Sequence, residues 1–421
     1  MNILFLSHRI PFPPDKGEKI RAYHILAHLA KRHKVHVGAF IDDAADLRHT
    51  ESLRQLVGGE CLLLSLGATA RLKMATALAT GAPLSASYFA SRTLARWIDG
   101  ILLRHNIDRV IIFSTAMAPY FLTRRDFDPE RVVFDMVDVD SDKWRQYADA
   151  ASGLRAWIYT REMRTLSALE RQAASSFGAT LLVSPYEKET FAQIAPECRR
   201  RLHSVLNGVD LEFFAPDREY PNPYAPHETP IVMTGTMDYW PNVEGAIWFS
   251  SKVLPLLRAH HPEARFYIVG ARPSAKVKSL AASDVVVTGK VDDVRPYLAH
   301  AGAVVAPLKL ARGVQNKVLE AMAMAKPVVA TSPAARALHV VSGSQILIAD
   351  DPAAFAQRLI AALKTPAAIA AAGRKYVEEK HDWARNLTRL DDILHAEADT
   401  VKSSAAHDTS ACILQGVQSE S

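Results

Sequence analysis

Short apolar runs alternate with helical patterns along almost the whole chain, and this alternation limits the possible folds more than any other feature. Such runs are typical of parallel strands with both faces covered by helices. Strands are predicted in a first series at 3–7, 35–40, 61–65, 110–114, 132–136, 180–184 and 204–206, and in a second at 231–234, 265–269, 285–288, 303–306, 328–330 and 346–348. The sequence therefore predicts an α/β protein with two doubly wound parallel sheets.

A proline-rich segment with little periodicity, 214–230, separates the two series and is typical of a linker. Ligands of such sheets bind at the carboxyl ends of the strands. The predicted organisation is an N-terminal Rossmann-like domain at 1–210, a linker at 211–230, a C-terminal Rossmann-like domain at 231–380, a helix at 381–399 that packs toward the N-terminal domain, and a disordered tail at 400–421.

Composition favours a cytoplasmic globular protein. Of the 421 residues, 49% are hydrophobic and 23% are charged, which is ordinary for a soluble chain with two cores. No segment approaches the ~20 apolar residues of a membrane span, and the apolar start is too short for a signal peptide. The three cysteines are far apart, and the net charge of +5 is spread without a block that indicates nucleic acid.

The segment 313–330, GVQNKVLEAMAMAKPVVA, joins a polar loop containing Gly313 to an amphipathic helix with Glu320 near its start. The unpaired N–H groups and partial positive charge of a helix N-terminus suit a diphosphate. A carboxylate in the first turns can accept hydrogen bonds from two neighbouring sugar hydroxyls. These features fit a nucleotide-sugar pocket, and they fit equally well an ordinary α/β crossover with Glu320 in solvent.

Three carboxylates crowd the end of the fifth predicted strand: Asp135, Asp138 and Asp140. Ser141 or Asp142 is a possible cap of the helix that follows. We take Asp138 as the acceptor-side acid/base or orienting group, while a structural role as cap or ion-pair partner is the alternative for each carboxylate. No His, Asp or Glu cluster has metal-ligand spacing, although the pair at 138 and 140 matches the letters of an Asp-x-Asp motif.

The segment 155–171 is basic and contains aromatic residues. A helix of this kind can lie on an anionic membrane. A helix that faces the core with a charged outer side is the simpler interpretation.

Several separate motifs resemble the family-4 retaining glycosyltransferases of the GT-B fold, over nearly all of 1–395. The motifs are Pro13, Pro14, Asp15, Gly17 and Glu18 in the first loop, Asn207-Gly208-Val209-Asp210 with Phe213 and Pro216, Gly270, Gly289 and Pro307 at strand ends, and the segment 313–327. More narrowly, GTMDYWPNVEGAIWF at 235–249 and DMVDVDSDKWRQYA at 135–148 are similar to a bacterial subgroup associated with exopolysaccharide and protein-sorting gene clusters.

The resemblance implies two domains that face each other across a cleft, and transfer of a sugar from a nucleotide-sugar donor to a saccharide or lipid-linked saccharide acceptor. It implies no cofactor and no metal, because protein cations and helix dipoles handle the diphosphate. The implied location is the cytoplasm or, by peripheral contact, the inner face of the plasma membrane.

Residue roles follow from the chemistry and the resemblance together. Arg312 and Lys317 are the candidate cations for the departing diphosphate, and Glu320 is assigned to the donor ribose. The remaining donor-binding candidates are Gly17, Gly235, Thr236, Gly313 and the backbone N–H groups of Val314, Gln315 and Asn316.

The chain departs from the family pattern at three places. Arg312 stands where the family has its first glutamate, the loop 236–240 lacks the arginine and lysine of many members, and Ser114 begins a segment where many place a histidine. Two alternatives follow: a GT-B nucleotide-sugar epimerase and a non-catalytic nucleotide-sugar binding protein. A dinucleotide oxidoreductase is excluded, because 7–20 contains a single glycine instead of G-x-G-x-x-G.

Overall fold

The computed structural model describes residues 1–14, 17–67 and 69–395. Within the described residues, the chain divides into two compact units, Met1–Val205 together with 387–395, and Leu206–Asn386. Each unit is built on one sheet in which all paired strands are parallel. The predicted disordered tail lies outside the described residues.

The sheet of the first unit has seven strands in the order β3-β2-β1-β4-β5-β6-β7. Its strands are β1 Asn2–Ser7, β2 Lys34–Ile41, β3 Cys61–Ser65, β4 Arg109–Phe113, β5 Val132–Val137, β6 Ala179–Leu182 and β7 Leu202–Ser204. Its helices are α1 Gly17–Ala30, α2 Thr50–Leu56, α3 Thr69–Thr80, α4 Leu84–Tyr88, α5 Arg92–Arg104, α6 Pro119–Leu122, α7 Asp140–Asp149, α8 Gly153–Ser176 and α9 Pro185–Ile194.

The sheet of the second unit has six strands in the order β10-β9-β8-β11-β12-β13. Its strands are β8 Thr229–Thr234, β9 Ala264–Val269, β10 Val285–Gly289, β11 Ala303–Ala306, β12 Val328–Ala330 and β13 Leu347–Ile348. Its helices are α10 Trp240–Trp248, α11 Leu254–Arg258, α12 Ala275–Lys278, α13 Arg295–Ala299, α14 Asn316–Ala323, α15 Ser332–Ala335, α16 Pro352–Lys364 and α17 Pro366–Lys380. A last helix, α18, covers 383–395.

The predicted α/β architecture with two doubly wound parallel sheets is confirmed. In both sheets the first strand pairs with its second and its fourth, so the strand order reverses there. The loops that follow these central strands meet at one edge of each sheet, where doubly wound proteins bind ligands.

Several element boundaries differ from the prediction by one or two residues. Strand β7 lies at Leu202–Ser204 and not at 204–206, because Leu202 pairs with Thr180 and Ser204 with Leu182, the last residue of β6. Helix α1 begins at Gly17, two residues before the predicted start at Lys19. Gly17 therefore belongs to the described helix and not to the loop before it.

The basic segment 155–171 lies within α8, and one side of that helix is buried. Leu166 and the carboxylates of Glu162 and Glu170 are buried, while Leu154 and Trp157 near its start are exposed. The second half of α8 therefore faces the core, as the simpler interpretation expects. Within the described residues, no helix has both the length and the apolar character needed to cross a membrane.

Candidate functional site

The loop before α14 and the first turn of this helix form the centre of the candidate donor site. Gly313 has a φ of 54°, a left-handed conformation that glycine adopts without strain. Gln315 caps the helix with extended backbone, and its Nε2 donates to the Arg312 carbonyl over 2.8 Å. The first N–H groups of a helix have no carbonyl partner within it, so α14 presents donors at its start.

Lys317 lies against the loop that follows β8. Its Nζ donates to Oδ1 of Asn242 over 2.5 Å, and Nδ2 of Asn242 donates to the Thr236 carbonyl over 2.9 Å. A Cβ atom on Gly235 would lie 3.0 Å from the Lys317 Nζ and 2.8 Å from the Asn242 Nδ2. The structure therefore brings Gly235, Thr236 and Lys317 together, and only a residue without a side chain fits at 235.

No role for Asn242 followed from the sequence alone, although this residue lies within the motif at 235–249. Its side chain is 4% exposed, which is unusual for asparagine. Both ends of its amide are hydrogen-bonded, one to the lysine and one to the loop. The available signal was a polar residue in a run that is otherwise apolar over 240–243.

Glu320 lies one turn after Lys317 and is half-buried. Burial raises the pKa of Glu320 to about 7, and the charge of Lys317 opposes this shift. Burial lowers the pKa of Lys317 to about 8, and the charge of Glu320 opposes that shift. The two groups form a partly desolvated pair in which each favours the charged form of the other.

Two polar atoms next to these residues have unused bonding capacity. The Oδ1 atom of Asn316 and the Oγ1 atom of Thr234 are buried, and neither has a hydrogen-bond partner in the described part of the chain. Thr234 is the last residue of β8 and Asn316 the first of α14. Buried polar atoms are normally paired, so these two atoms suit a bound polar ligand.

The loops after β8 and β9 are tied to each other. The Met237 N–H donates to the Ala271 carbonyl over 2.8 Å. A Cβ atom on Gly270 would lie only 1.7 Å from the Gly235 carbonyl oxygen, so the two loops touch through backbone alone. Arg272 forms a 3.0 Å ion pair with Asp238. The guanidinium group of Arg272 therefore lies beside the loop 236–240, which contains no arginine or lysine of its own.

The other predicted donor residues are placed as follows. Val314 packs against the hydrophobic core of the second unit, and the side chain of Arg312 is half-buried. Gly17 belongs to the first unit, where the neighbouring Glu18 forms an ion pair with Arg9. Arg9 also lies 2.8 Å from Asp42.

The three carboxylates near the end of β5 have separate environments. Asp135 is fully buried within β5 and forms a 2.9 Å ion pair with Arg21, so it is a structural residue. Asp140 forms an ion pair with Lys143. Asp138 is half-buried and lies at the carboxyl end of β5.

The residue before Asp138 has an unusual backbone. Val137 has a φ of 70°, a conformation that is rare for a β-branched residue. The Val137 carbonyl accepts from the Val183 N–H over 2.8 Å, and its N–H donates to the Asp135 carboxylate over 3.1 Å. Strained backbone held by its surroundings is common at functional sites.

The start of α7 is capped differently from the prediction. Neither Ser141 nor Asp142 caps the helix, which begins at Asp140. Instead, the Val139 N–H donates to Glu187 over 2.9 Å, and the Ser141 N–H donates to Glu170 over 3.0 Å. Buried carboxylates from α9 and α8 satisfy these donors, so a local side-chain cap is not needed. Burial raises the pKa of Glu170 to about 8.

A cluster of possible metal ligands lies elsewhere in the first unit. Ligand atoms of His36, Glu60 and His105 lie within 4.8 Å of one another. However, the Glu60 N–H donates to Nδ1 of His36 over 3.0 Å, so a neutral His36 ring carries its proton on Nε2. A metal-binding histidine needs a free lone pair on the coordinating nitrogen, which this tautomer lacks.

Comparisons with known proteins agree with this architecture. The family model described as glycosyl transferases group 1 matches residues 228–365. Among curated proteins, none matches the chain significantly by sequence.

Solved structures match the chain over most of its length. Anabaena HepE in complex with UDP and glucose is 15% identical with a TM-score of 0.66, covering 94% of this chain and 99% of that one. Sucrose-phosphate synthase from Thermosynechococcus elongatus is 15% identical with a TM-score of 0.67, covering 95% and 100%. WaaG, a glycosyltransferase involved in lipopolysaccharide biosynthesis, is 17% identical with a TM-score of 0.65, covering 93% and 99%.

At these identities the structural likeness shows the fold alone. The predicted GT-B class is confirmed, and this fold together with the family match supports a glycosyltransferase.

Proposed function

We propose that the chain is a retaining glycosyltransferase that moves a sugar from a nucleotide-sugar donor to a saccharide or lipid-linked saccharide in exopolysaccharide synthesis. It acts in the cytoplasm without a metal. The exposed Leu154 and Trp157 at the start of α8 support peripheral contact with the inner face of the plasma membrane, while the second half of this helix packs on the core. The family match over 228–365 supports glycosyl transfer. The resemblance of the sequence motifs supports the retaining outcome and the acceptor class.

The observation that carries the proposal is the contact of Lys317 with Asn242 beside Gly235. In the proposed mechanism, the diphosphate binds between the loop after β8 and the start of α14, and the Lys317 ammonium lies against it. The bond from the sugar to the diphosphate breaks, and negative charge grows on the departing oxygen. Lys317, Arg312 and the first N–H groups of α14 stabilise this charge.

Two carboxylates act on the sugars in this proposal. Glu320, when ionised, accepts hydrogen bonds from the donor ribose hydroxyls. Asp138 orients the attacking hydroxyl of the acceptor and takes up its proton as the new glycosidic bond forms. The position of Asp138 after the strained Val137 supports this role.

A thermal-shift screen against UDP-, GDP- and other nucleotide-sugars tests donor binding, because a ligand of the folded state raises the unfolding temperature. The HepE structure, which holds UDP and glucose, makes UDP-glucose the first compound to test. Glu320→Ala is expected to remove the shift, while Glu219→Ala, an exposed glutamate of the same unit, keeps it.

Product analysis with the same donor then defines the reaction. We expect transfer only when a saccharide acceptor is present. A new nucleotide-sugar formed without acceptor would point to an epimerase, and binding without any turnover would point to a non-catalytic binding protein. Either result would contradict the proposed transfer.

A further inference from the structure

The first unit contains a cavity of about 700 Å³, and none of its lining residues has a proposed role in donor binding or catalysis. It is lined by Lys73 of α3, by residues at the start of α5, and by Ala116 and Tyr120 after β4. This volume lies within the usual range of small-molecule sites.

The cavity lies at the ligand-binding edge of the seven-stranded sheet. Helix α5 directly precedes β4, and a crossover helix runs opposite to its strand, so α5 begins at the edge where β4 ends. Ala116 follows β4 and is separated by one residue from Ser114, whose N–H donates to the Asp135 carbonyl over 2.9 Å. A backbone hydrogen bond therefore connects the segment that lines the cavity to β5, the strand that ends one residue before Asp138.

The charges that line the cavity have one sign. Lys73 and Arg92 both line it, and the described lining residues include no carboxylate. The Lys73 Nζ donates to the Ala90 carbonyl over 2.6 Å, a neutral partner that leaves its charge uncompensated. Arg92 is the first residue of the 13-residue helix α5, whose initial N–H groups add to the positive potential.

The walls of the cavity are held by hydrogen bonds. The Tyr120 hydroxyl accepts from the Ser91 N–H and donates to the Phe89 carbonyl, each over 2.7 Å. The Ser91 side chain caps α5 by accepting from the Leu94 N–H over 3.3 Å. The segment that presents Arg92 is therefore fixed before any ligand binds, which lowers the entropic cost of binding.

We propose that this cavity binds an anionic group, a phosphate monoester or a carboxylate, carried by the saccharide acceptor. Two cations attract an anion where the described lining residues include no carboxylate, and the guanidinium group offers a fork that matches either oxyanion. The inference rests on the proposed function, because that function supplies the acceptor.

Titration calorimetry on the full chain, without nucleotide, tests the proposal with three probes: glucose 6-phosphate, glucuronate and glucose. At least one of the two anionic sugars is expected to bind about tenfold more tightly than glucose, and the tighter of the two identifies the anion. The double substitution Lys73→Gln with Arg92→Gln is expected to remove this preference.

Matched variants assign the binding to this cavity. Arg96→Gln changes an exposed arginine one turn further along α5 and should leave affinity within about twofold. Arg92→Glu, at an exposed position, reverses one charge without removing buried contacts and should abolish anion binding. Lys317→Gln should leave it unchanged, because that lysine belongs to the donor site.

Three results would overturn the inference: equal binding of glucose and both anionic sugars, unchanged affinity in the double variant, or loss of anion binding in Lys317→Gln alone. Nucleotide-sugar binding, measured on the same samples, tests the proposed function separately. A protein that binds nucleotide-sugar but neither anionic sugar contradicts only the cavity assignment.

Discussion

The ammonium group of Lys317 lies 2.5 Å from the amide oxygen of Asn242, and this contact links α14 to α10 and to the loop after β8. Asn242 is uncharged, so it positions the lysine without cancelling its charge. Burial lowers the pKa of Lys317 to about 8, and an anion bound beside it would favour the charged ammonium and raise this pKa again. Such a group is suited to a diphosphate.

We expect Asn242→Ala to weaken both stability and donor binding. The substitution leaves the Lys317 ammonium and the Thr236 carbonyl without their partner, which costs about 1–3 kcal/mol in the free energy of unfolding. Urea denaturation and calorimetry with the best nucleotide-sugar measure the two effects. Asn106→Ala, at an exposed side chain of the first unit, is the control. Wild-type values for both quantities in Asn242→Ala would rule out the positioning role.

The stability of the protein should depend on the ionisation of Glu320. Its pKa is raised from 4.5 to about 7, so between these pH values the folded state binds more protons than the unfolded state. Stability contributed by this group is therefore present below pH 4.5 and lost as the pH rises through about 7. Glu320→Gln has no carboxyl group to ionise, so it does not lose this stability. The melting temperature of the variant minus that of the wild type should therefore increase by a few degrees as the pH rises from 4.5 to about 7. A melting-temperature difference that does not change with pH would show that the Glu320 carboxyl group is not desolvated.

Glu187 should support activity by holding the start of α7. It is 1% exposed and accepts from the Val139 N–H, next to Asp138. Glu187→Ala leaves this donor unpaired and frees the loop, so kcat should fall about tenfold or more while the KM for the donor stays constant. Glu189→Ala, on the same helix but exposed, should keep wild-type kinetics. A change confined to the donor KM would speak against the role of Glu187.

Asp138→Asn tests the acceptor-side carboxylate. Loss of a group that orients a hydroxyl and takes up its proton typically lowers kcat by about 10²–10⁴. We expect donor binding to remain intact, because Asp138 belongs to the first unit, whereas the proposed donor contacts Arg312, Lys317 and Glu320 belong to the second. Asp149→Asn, at the exposed end of α7, is the matched control. Full activity in Asp138→Asn would remove the residue from the mechanism.

The fold was predictable because its strands have continuous apolar sequences. Residues 3–6 of β1 and 110–113 of β4 are buried and apolar, so hydrophobic runs mark these strands directly. Strand β7 was predicted two residues too late, because the apolar pair Val205 and Leu206 follows the paired residues Leu202–Ser204. Hydrogen-bond register, which depends on the neighbouring strand, is not visible in a single sequence.

The candidate donor loop could be proposed from local features, since Gly313, the start of α14 and Glu320 lie close together in the chain. The partner of Lys317 was not, because Asn242 lies 75 positions away. The capping of α7 was missed for the same reason: Glu170 and Glu187 come from later helices. Long-range polar contacts of this kind carry no periodic signal in the sequence.

The most direct test of the account is the affinity for UDP-glucose, measured by calorimetry on the wild type and on Lys317→Gln, with Lys309→Gln as the exposed-lysine control. If Lys317 neutralises the diphosphate, Lys317→Gln should bind about tenfold more weakly or worse, while Lys309→Gln binds normally. Equal affinity in all three proteins, or no detectable binding to the wild type by any nucleotide-sugar, would contradict the account.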